Sequence, residues 1–112
     1  MYDDNNVFAK ILKTEIASEI VFSNEFCICF KDINPVAKTH LLVIPRMPVL
    51  DYADFISKSA HEYISGFFIS VKEITEKFNL KSYKLLTNKG SKAGQQVFHF
   101  HVHIISEDVM IL

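Results

Sequence analysis

The chain has 112 residues, 49% of them hydrophobic and 22% charged, and twelve Lys and Arg against thirteen Asp and Glu leave a formal net charge of −1. At this length we expect one domain over residues 1–112, able to hide roughly two thirds of its unfolded surface. The charge balance argues against duplex nucleic acid as a partner, and no uncharged apolar run approaches the ~20 residues of a membrane span. The acidic, polar opening Met1-Tyr2-Asp3-Asp4-Asn5-Asn6 is the opposite of a secretory signal. Cys27 and Cys29, two apart in a strand-like run, are poorly placed for a disulfide. A reduced, cytoplasmic enzyme or binding domain is the expected class.

In chain order, Val7, Phe8, Ile11, Leu12 and Ile16 have near-helical spacing and predict a short helix over Val7 to Ile16. Glu19 to Ser23 and Phe26 to Lys31 read as a hairpin, closed by the turn residues Asp32-Ile33-Asn34-Pro35. His40 to Ile44 reads as a third strand, stopped by Pro45 and Pro48. The clearest helix runs from about Ser59 to Phe78, with Ala60, Tyr63, Ile64, Phe67, Phe68, Val71, Ile74 and Phe78 on one stripe and Ser59 with Glu62 at capping-box spacing. Lys81 to Asn88 reads as a fourth strand, Lys89 to Gln96 as a loop holding Gly90 and Gly94, and Val97 to Ser106 as the last strand. The sum is an α+β domain, an antiparallel sheet of about five strands crossed by one main helix. His61 falls off the apolar stripe, and Lys72, Glu73, Glu76 and Lys77 form a charged face; both are read as solvated.

His99, His101 and His103 are three of the five histidines and alternate with Phe98, Phe100, Val102 and Ile104. In a strand the three imidazoles share one face, neighbours about 6.6 to 7 Å apart at Cα, and the apolar set shares the other. Imidazoles in a row must meet solvent or find partners. Two chemistries fit. Two or three of the histidines bind a metal, completed by Cys27-x-Cys29, His40 or Asp32. Alternatively one imidazole is a nucleophile, held in one tautomer by a hydrogen bond to a backbone carbonyl across the sheet. The loop Gly90-Ser91-Lys92-Ala93-Gly94-Gln95-Gln96 leads into this strand, and its small residues let backbone N–H groups approach an oxyanion, which favours the nucleophile.

His99-Phe100-His101-Val102-His103-Ile104-Ile105 resembles the signature of the histidine-triad (HIT) superfamily. The run Asn88-Lys89-Gly90 through Ala93-Gly94-Gln95-Gln96-Val97-Phe98-His99 is similar to the bacterial branch close to the Hint proteins, and the likeness continues through Phe30-Lys31-Asp32-Ile33-Asn34-Pro35 and Thr39-His40-Leu41-Leu42-Val43-Ile44-Pro45. The resemblance implies a homodimer joined through one extended sheet, with a purine mononucleotide (AMP or GMP) site on each subunit and no cofactor. It implies metal-independent transfer of a nucleotidyl group to water through a nucleotidyl-histidine. His101 would be the nucleophile, His103 would stand near the phosphate and leaving group, His99 would orient the strand, and His40 would complete the cluster. Asn88, Gly94, Gln95, Gln96 and Val97 would touch the phosphate, and Asp32 would accept the ribose hydroxyls. Val7, Phe8, Ile11, Phe30, Ile33 and Leu42 would line the base pocket. Strand phase agrees: Phe30 with Asp32, His40 with Leu42 and Val97 with the histidines each fall on one face.

Departures from the pattern matter. Many relatives carry a zinc-binding Cys-x-x-Cys near the N-terminus and a histidine soon after the third strand; here Asn6, Ala9 and the region of Pro48 stand there, so no zinc is expected. Cys27 and Cys29 are read as sheet-packing thiols. Gln96 stands where the Hint branch has Ser, and Ser106-Glu107 replaces a common Pro-Arg before a short tail ending at Leu112. The favoured activity is a purine nucleoside phosphoramidase. The rivals are a dinucleoside polyphosphate hydrolase, a metal-dependent enzyme built on the His-x-His strand, and a nucleotide-binding module with little turnover.

Overall fold

Five short runs of β-branched and aromatic residues pair into one antiparallel sheet in a computed structural model that describes residues 1–106. The strands are β1 (Ile20–Ser23), β2 (Cys27–Lys31), β3 (Thr39–Pro45), β4 (Tyr83–Leu86) and β5 (Val102–Ser106), in the order β1-β2-β3-β5-β4. The helices are α1 (Val7–Leu12), α2 (Tyr52–Lys58) and α3 (His61–Lys77), with a 3₁₀ turn at Ser91–Ala93. The α+β class, the five strands and the long helix are as the sequence predicts. Ser106, the first of the pair that replaces Pro-Arg, ends β5, whereas Glu107 and the tail to Leu112 lie outside the described residues.

The pleat sorts the sheet's side chains into two sets. Cys27, Cys29, Leu41, Val43, Val102 and Ile104 face the helix side, where Phe55 of α2 and Phe67, Val71 and Ile74 of α3 are buried with Phe100. Phe55 stacks on Phe100 with ring centroids 4.8 Å apart, so α2 plugs a hole that α3 alone leaves open. Ile28, Phe30, Leu42 and Ile44 face the opposite side and meet Phe8 and Ile11 of α1. The histidines belong to this second side: His103 pairs in register with Leu42, and His40 is in phase with Leu42. Both cysteines are therefore a full sheet thickness away from the imidazoles.

Several predicted boundaries move, each for a local reason. α1 ends at Leu12 rather than Ile16, because Thr14 takes a left-handed conformation (φ 60°) and closes a Schellman motif, its N–H reaching Ile11 O and that of Glu15 reaching Lys10 O. Asn79 (φ 54°) ends α3 in the same way. Helix α2 goes unpredicted, although Asp51 accepts the Asp54 N–H and Asp54 in turn accepts that of Leu50, a reciprocal cap visible as Asp-x-x-Asp. The predicted Ser59 cap is absent: Ser59 ends α2 and Ala60 precedes α3 without a side-chain cap bond. On α3, Phe68 is exposed rather than core, as is Phe98 on the histidine segment. β4 is shorter than Lys81 to Asn88, and β3 includes Pro45, paired at its end with Cys27.

The last strand begins at Val102, not Val97. Past Val43 the ladder from β3 stops, and the Phe100 N–H turns to Val49 O. Residues 97–101 thus run beside the sheet instead of within it, and their imidazoles are freed to find side-chain and loop partners.

Candidate active site

His101 is the ring whose bonding leaves a free nitrogen at the cleft. Its Nδ1 lies 2.7 Å from the carbonyl oxygen of His99, and only a protonated Nδ1 makes that bond. Nε2 therefore keeps its lone pair. The carbonyl comes from two residues upstream on the same segment, not from across the sheet as expected. The Phe8 ring meets the imidazole edge-on, centroids 4.9 Å apart, and Thr87 Oγ1 donates to His101 O at 2.8 Å, holding the segment against the end of β4.

The partners of the other rings fix their tautomers too. His40 Nδ1 accepts the Val36 N–H at 3.2 Å, so the proton of a neutral His40 is on Nε2 and points to His103 Nδ1, 2.9 Å away. His103 then carries its own proton on Nε2. The same His40 Nε2 lies 3.3 Å from Asp32 Oδ2. His99 is fully enclosed: its Nε2 donates to Pro45 O at 2.9 Å, and its Nδ1 accepts from the Tyr2 hydroxyl at 2.6 Å.

Burial keeps these rings neutral. It pushes His99 down to about 4, against the bond to Pro45 O. Burial, reinforced by His101 and His40 and opposed by Asp32, brings His103 to about 4. His101 and His40 are lowered mainly by burial as well, with Asp32 opposing in both. With His40 neutral and its Nε2–H directed at His103, the His40–Asp32 contact is a close approach rather than an ion pair. On the helix face, burial pushes the Cys27 and Cys29 thiols up to about 11 and 12, so neither offers a thiolate near neutrality.

These groups front a cleft of about 480 Å³, within the usual range for small-molecule sites. Val7, Phe8, Ile11, Phe30, Ile33 and Leu42 line its apolar part, and Asp32, Asn88, Gly94, Gln96, Val97, His101 and His103 its polar part. Thirteen of the sixteen predicted residues are thereby brought together. His40 and His99 stand behind the lining, bonded to the rings or backbone in front of them. Gln95 does not reach the cleft: its buried carboxamide staples the loop, accepting from Gly90 N and donating to Leu50 O and Val97 O. Gly94 sits at φ 96°, where an added Cβ would lie 3.5 Å from the Asn88 amide. The Asn88 amide donates to Ala93 O at 2.7 Å, so the loop is braced at both ends.

Ile16, Ala17, Ser18, Lys31 and Asn34 also line the cleft and were not foreseen. Lys31 ends β2 and the other four sit in connections between elements, and only chain closure brings them there. Tyr2 and the Val36 N–H are likewise invisible to pattern reading.

Asp32, His40 and His103 bring three ligand atoms within 4.8 Å of one another. The tautomers oppose a metal there, since His40 Nε2 carries the ring proton once Nδ1 accepts from Val36. Asn6, at one of the positions read against cysteine, caps α1 through Ala9 N–H. Among the described residues no helix is long and apolar enough to cross a membrane.

The profile of a family described as HIT domain matches residues 13–110. A HIT-like protein of Rickettsia prowazekii (strain Madrid E) is 43% identical over 113 residues, spanning 99% of this chain and 94% of that protein. Among solved structures, a HIT family hydrolase from Clostridium thermocellum is 32% identical with a TM-score of 0.83, covering 98% of this chain and 96% of its own. A histidine triad nucleotide-binding protein from Candida albicans is 29% identical with a TM-score of 0.82, covering 93% of this chain and 76% of its own.

Proposed function

The chain belongs to the HIT domain family, and on that premise we propose that it is a nucleotide hydrolase, a purine nucleoside phosphoramidase that works through a nucleotidyl-histidine. The observation that carries the reading is His101, neutral, with Nδ1–H tied to a carbonyl and Nε2 unprotonated at the cleft. The hydrolase and nucleotide-binding descriptions of the two solved relatives support it.

Nε2 of His101 attacks the α-phosphorus, forming an N–P bond as the P–N bond to the leaving amine breaks. The amine departs with a proton. Nucleotide phosphate beside His103 favours its protonated form over the neutral one, so the His40–His103 pair supplies that proton to the leaving nitrogen as general acid. Water then attacks phosphorus and gives up a proton to the now neutral His40–His103 pair, the His101 N–P bond breaks, and the nucleoside monophosphate leaves with the imidazole restored. The backbone N–H groups of Gln96 and Val97, which follow the braced turn at the cleft, and the His103 Nε2–H meet the phosphoryl charge without a metal. Asp32 accepts from Asn34 N, which occupies about one of roughly four carboxylate lone-pair sites and leaves room for a ribose diol. The Phe8 and Phe30 rings, centroids 5.4 Å apart, give the purine an aromatic corner. We read the active form as a homodimer with joined sheets, in which a partner would cover Tyr83 and Leu85, exposed on the edge strand β4.

Gln96 favours a second reading. It lines the cleft with a carboxamide that has no proton to give at neutral pH, as suits a nucleotide-binding module with little turnover. One assay separates the readings: adenosine 5′-phosphoramidate with EDTA present, followed by AMP release, with His101→Ala as control. Release that falls by about a thousandfold or more in the variant is the expected result. Equal release from both proteins overturns the nucleophile, and AMP binding without release selects the module.

A further inference from the structure

The first residues of the chain reach the catalytic segment. Tyr2 lies 97 positions before His99, ahead of α1 and outside the stretch matched by the family profile, yet its hydroxyl is 2.6 Å from His99 Nδ1. His99 is fully enclosed, so both of its ring nitrogens need protein partners. Pro45 O takes the proton on Nε2, and the Tyr2 hydroxyl is the donor for Nδ1. Burial raises the Tyr2 phenol, which keeps it in the donating form. The two rings meet edge-on with centroids 5.7 Å apart.

His99 has a second task, because its backbone carbonyl is the acceptor for His101 Nδ1–H. Wherever His99 sits, the His101 ring follows. Residues 97–101 lack the β3 ladder that pins Val102 onward, so side-chain bonds must supply the precision the sheet does not. Phe8 from the same N-terminal arm closes on the His101 ring itself.

We propose that Tyr2 is a positioning residue for the nucleophile: its hydroxyl clamps the His99 imidazole, and the clamped His99 presents the carbonyl that aims the His101 ring. This rests on His101 being the nucleophile. Tyr2 touches neither nucleotide nor phosphorus, so its loss lowers kcat and spares binding. Displacements well under an ångström suffice, since misplacing a reacting group by 1 Å costs up to about 100-fold.

Tyr2→Phe removes one oxygen and keeps the ring. The expected result is a kcat lower by about tenfold or more with phosphoramidate KM and AMP affinity within about twofold of wild type. Proton–nitrogen NMR of the histidines supplies the readout that simple packing would not move. In the wild type, His99 should carry its proton on Nε2, and His101 Nδ1–H should be a slowly exchanging, downfield resonance. In Tyr2→Phe that His101 resonance should shift and exchange faster. A wild-type kcat in Tyr2→Phe, or a lowered kcat with an unmoved His101 resonance, overturns the proposal. A wild-type His99 protonated on Nδ1 overturns it without any variant. If the wild type releases no AMP, the proposed activity fails, and the two spectra still decide whether Tyr2 aims the His101 ring.

Discussion

Acid should unfold this protein through His99, and the size of the effect follows from its surroundings. Free imidazole titrates near 6.5, whereas burial holds His99 near 4 in the folded chain. Between those values the unfolded state binds a proton that the folded state refuses. Stability therefore rises with pH across that window: the contribution is fully present above about 6.5 and is lost as pH falls toward 4. Integrated from about pH 7 to about pH 4.5, the difference is about 2.5 kcal/mol for this one group. Protonation would also place a second donor against the Tyr2 hydroxyl, which the ring at present accepts from. The assay is urea unfolding at both pH values for wild type and His99→Gln. Carboxylates titrate in both proteins and cancel in the comparison. Wild type should lose about 2.5 kcal/mol more than the variant between the two conditions. Parallel losses would refute the claim that His99 is held neutral by burial.

Asp32→Asn should weaken AMP binding by about 1.5–3 kcal/mol, the scale of a hydrogen bond to a charged group. Titration of AMP and deoxy-AMP checks it, and an unchanged preference between them removes Asp32 from the ribose. Gly66→Ala should destabilise the fold by about 1–3 kcal/mol, because an added Cβ would lie 2.3 Å from the Phe26 ring and push it off α3; a denaturation midpoint equal to wild type would show that the ring moves aside freely.

The alternation His99-x-His101-x-His103 and the stripe on α3 were legible because each depends only on the period of a local element. They place three imidazoles on one side and an aromatic core on the other before any contact is known. Phase alone also puts Phe30 with Asp32 and Leu42 with His40, hence most of the cleft lining. Helix α2 was legible in principle through its Asp51 and Asp54 cap, but seven residues offer too little periodicity to stand out.

What separates the three histidines chemically is not in that pattern. All three read alike along the chain, yet His99 is closed off by Tyr2 and Pro45, His101 faces the cleft, and His103 is held by His40 from 63 positions away. Gln95 and Gln96 read alike too, and the folded loop turns one inward as a staple and leaves the other at the cleft. Spacing determines the side of the sheet on which a ring lies. Its tautomer and charge depend on donors, carbonyls and desolvation contributed by remote segments, so only chain closure decides which histidine is left with a lone pair to use.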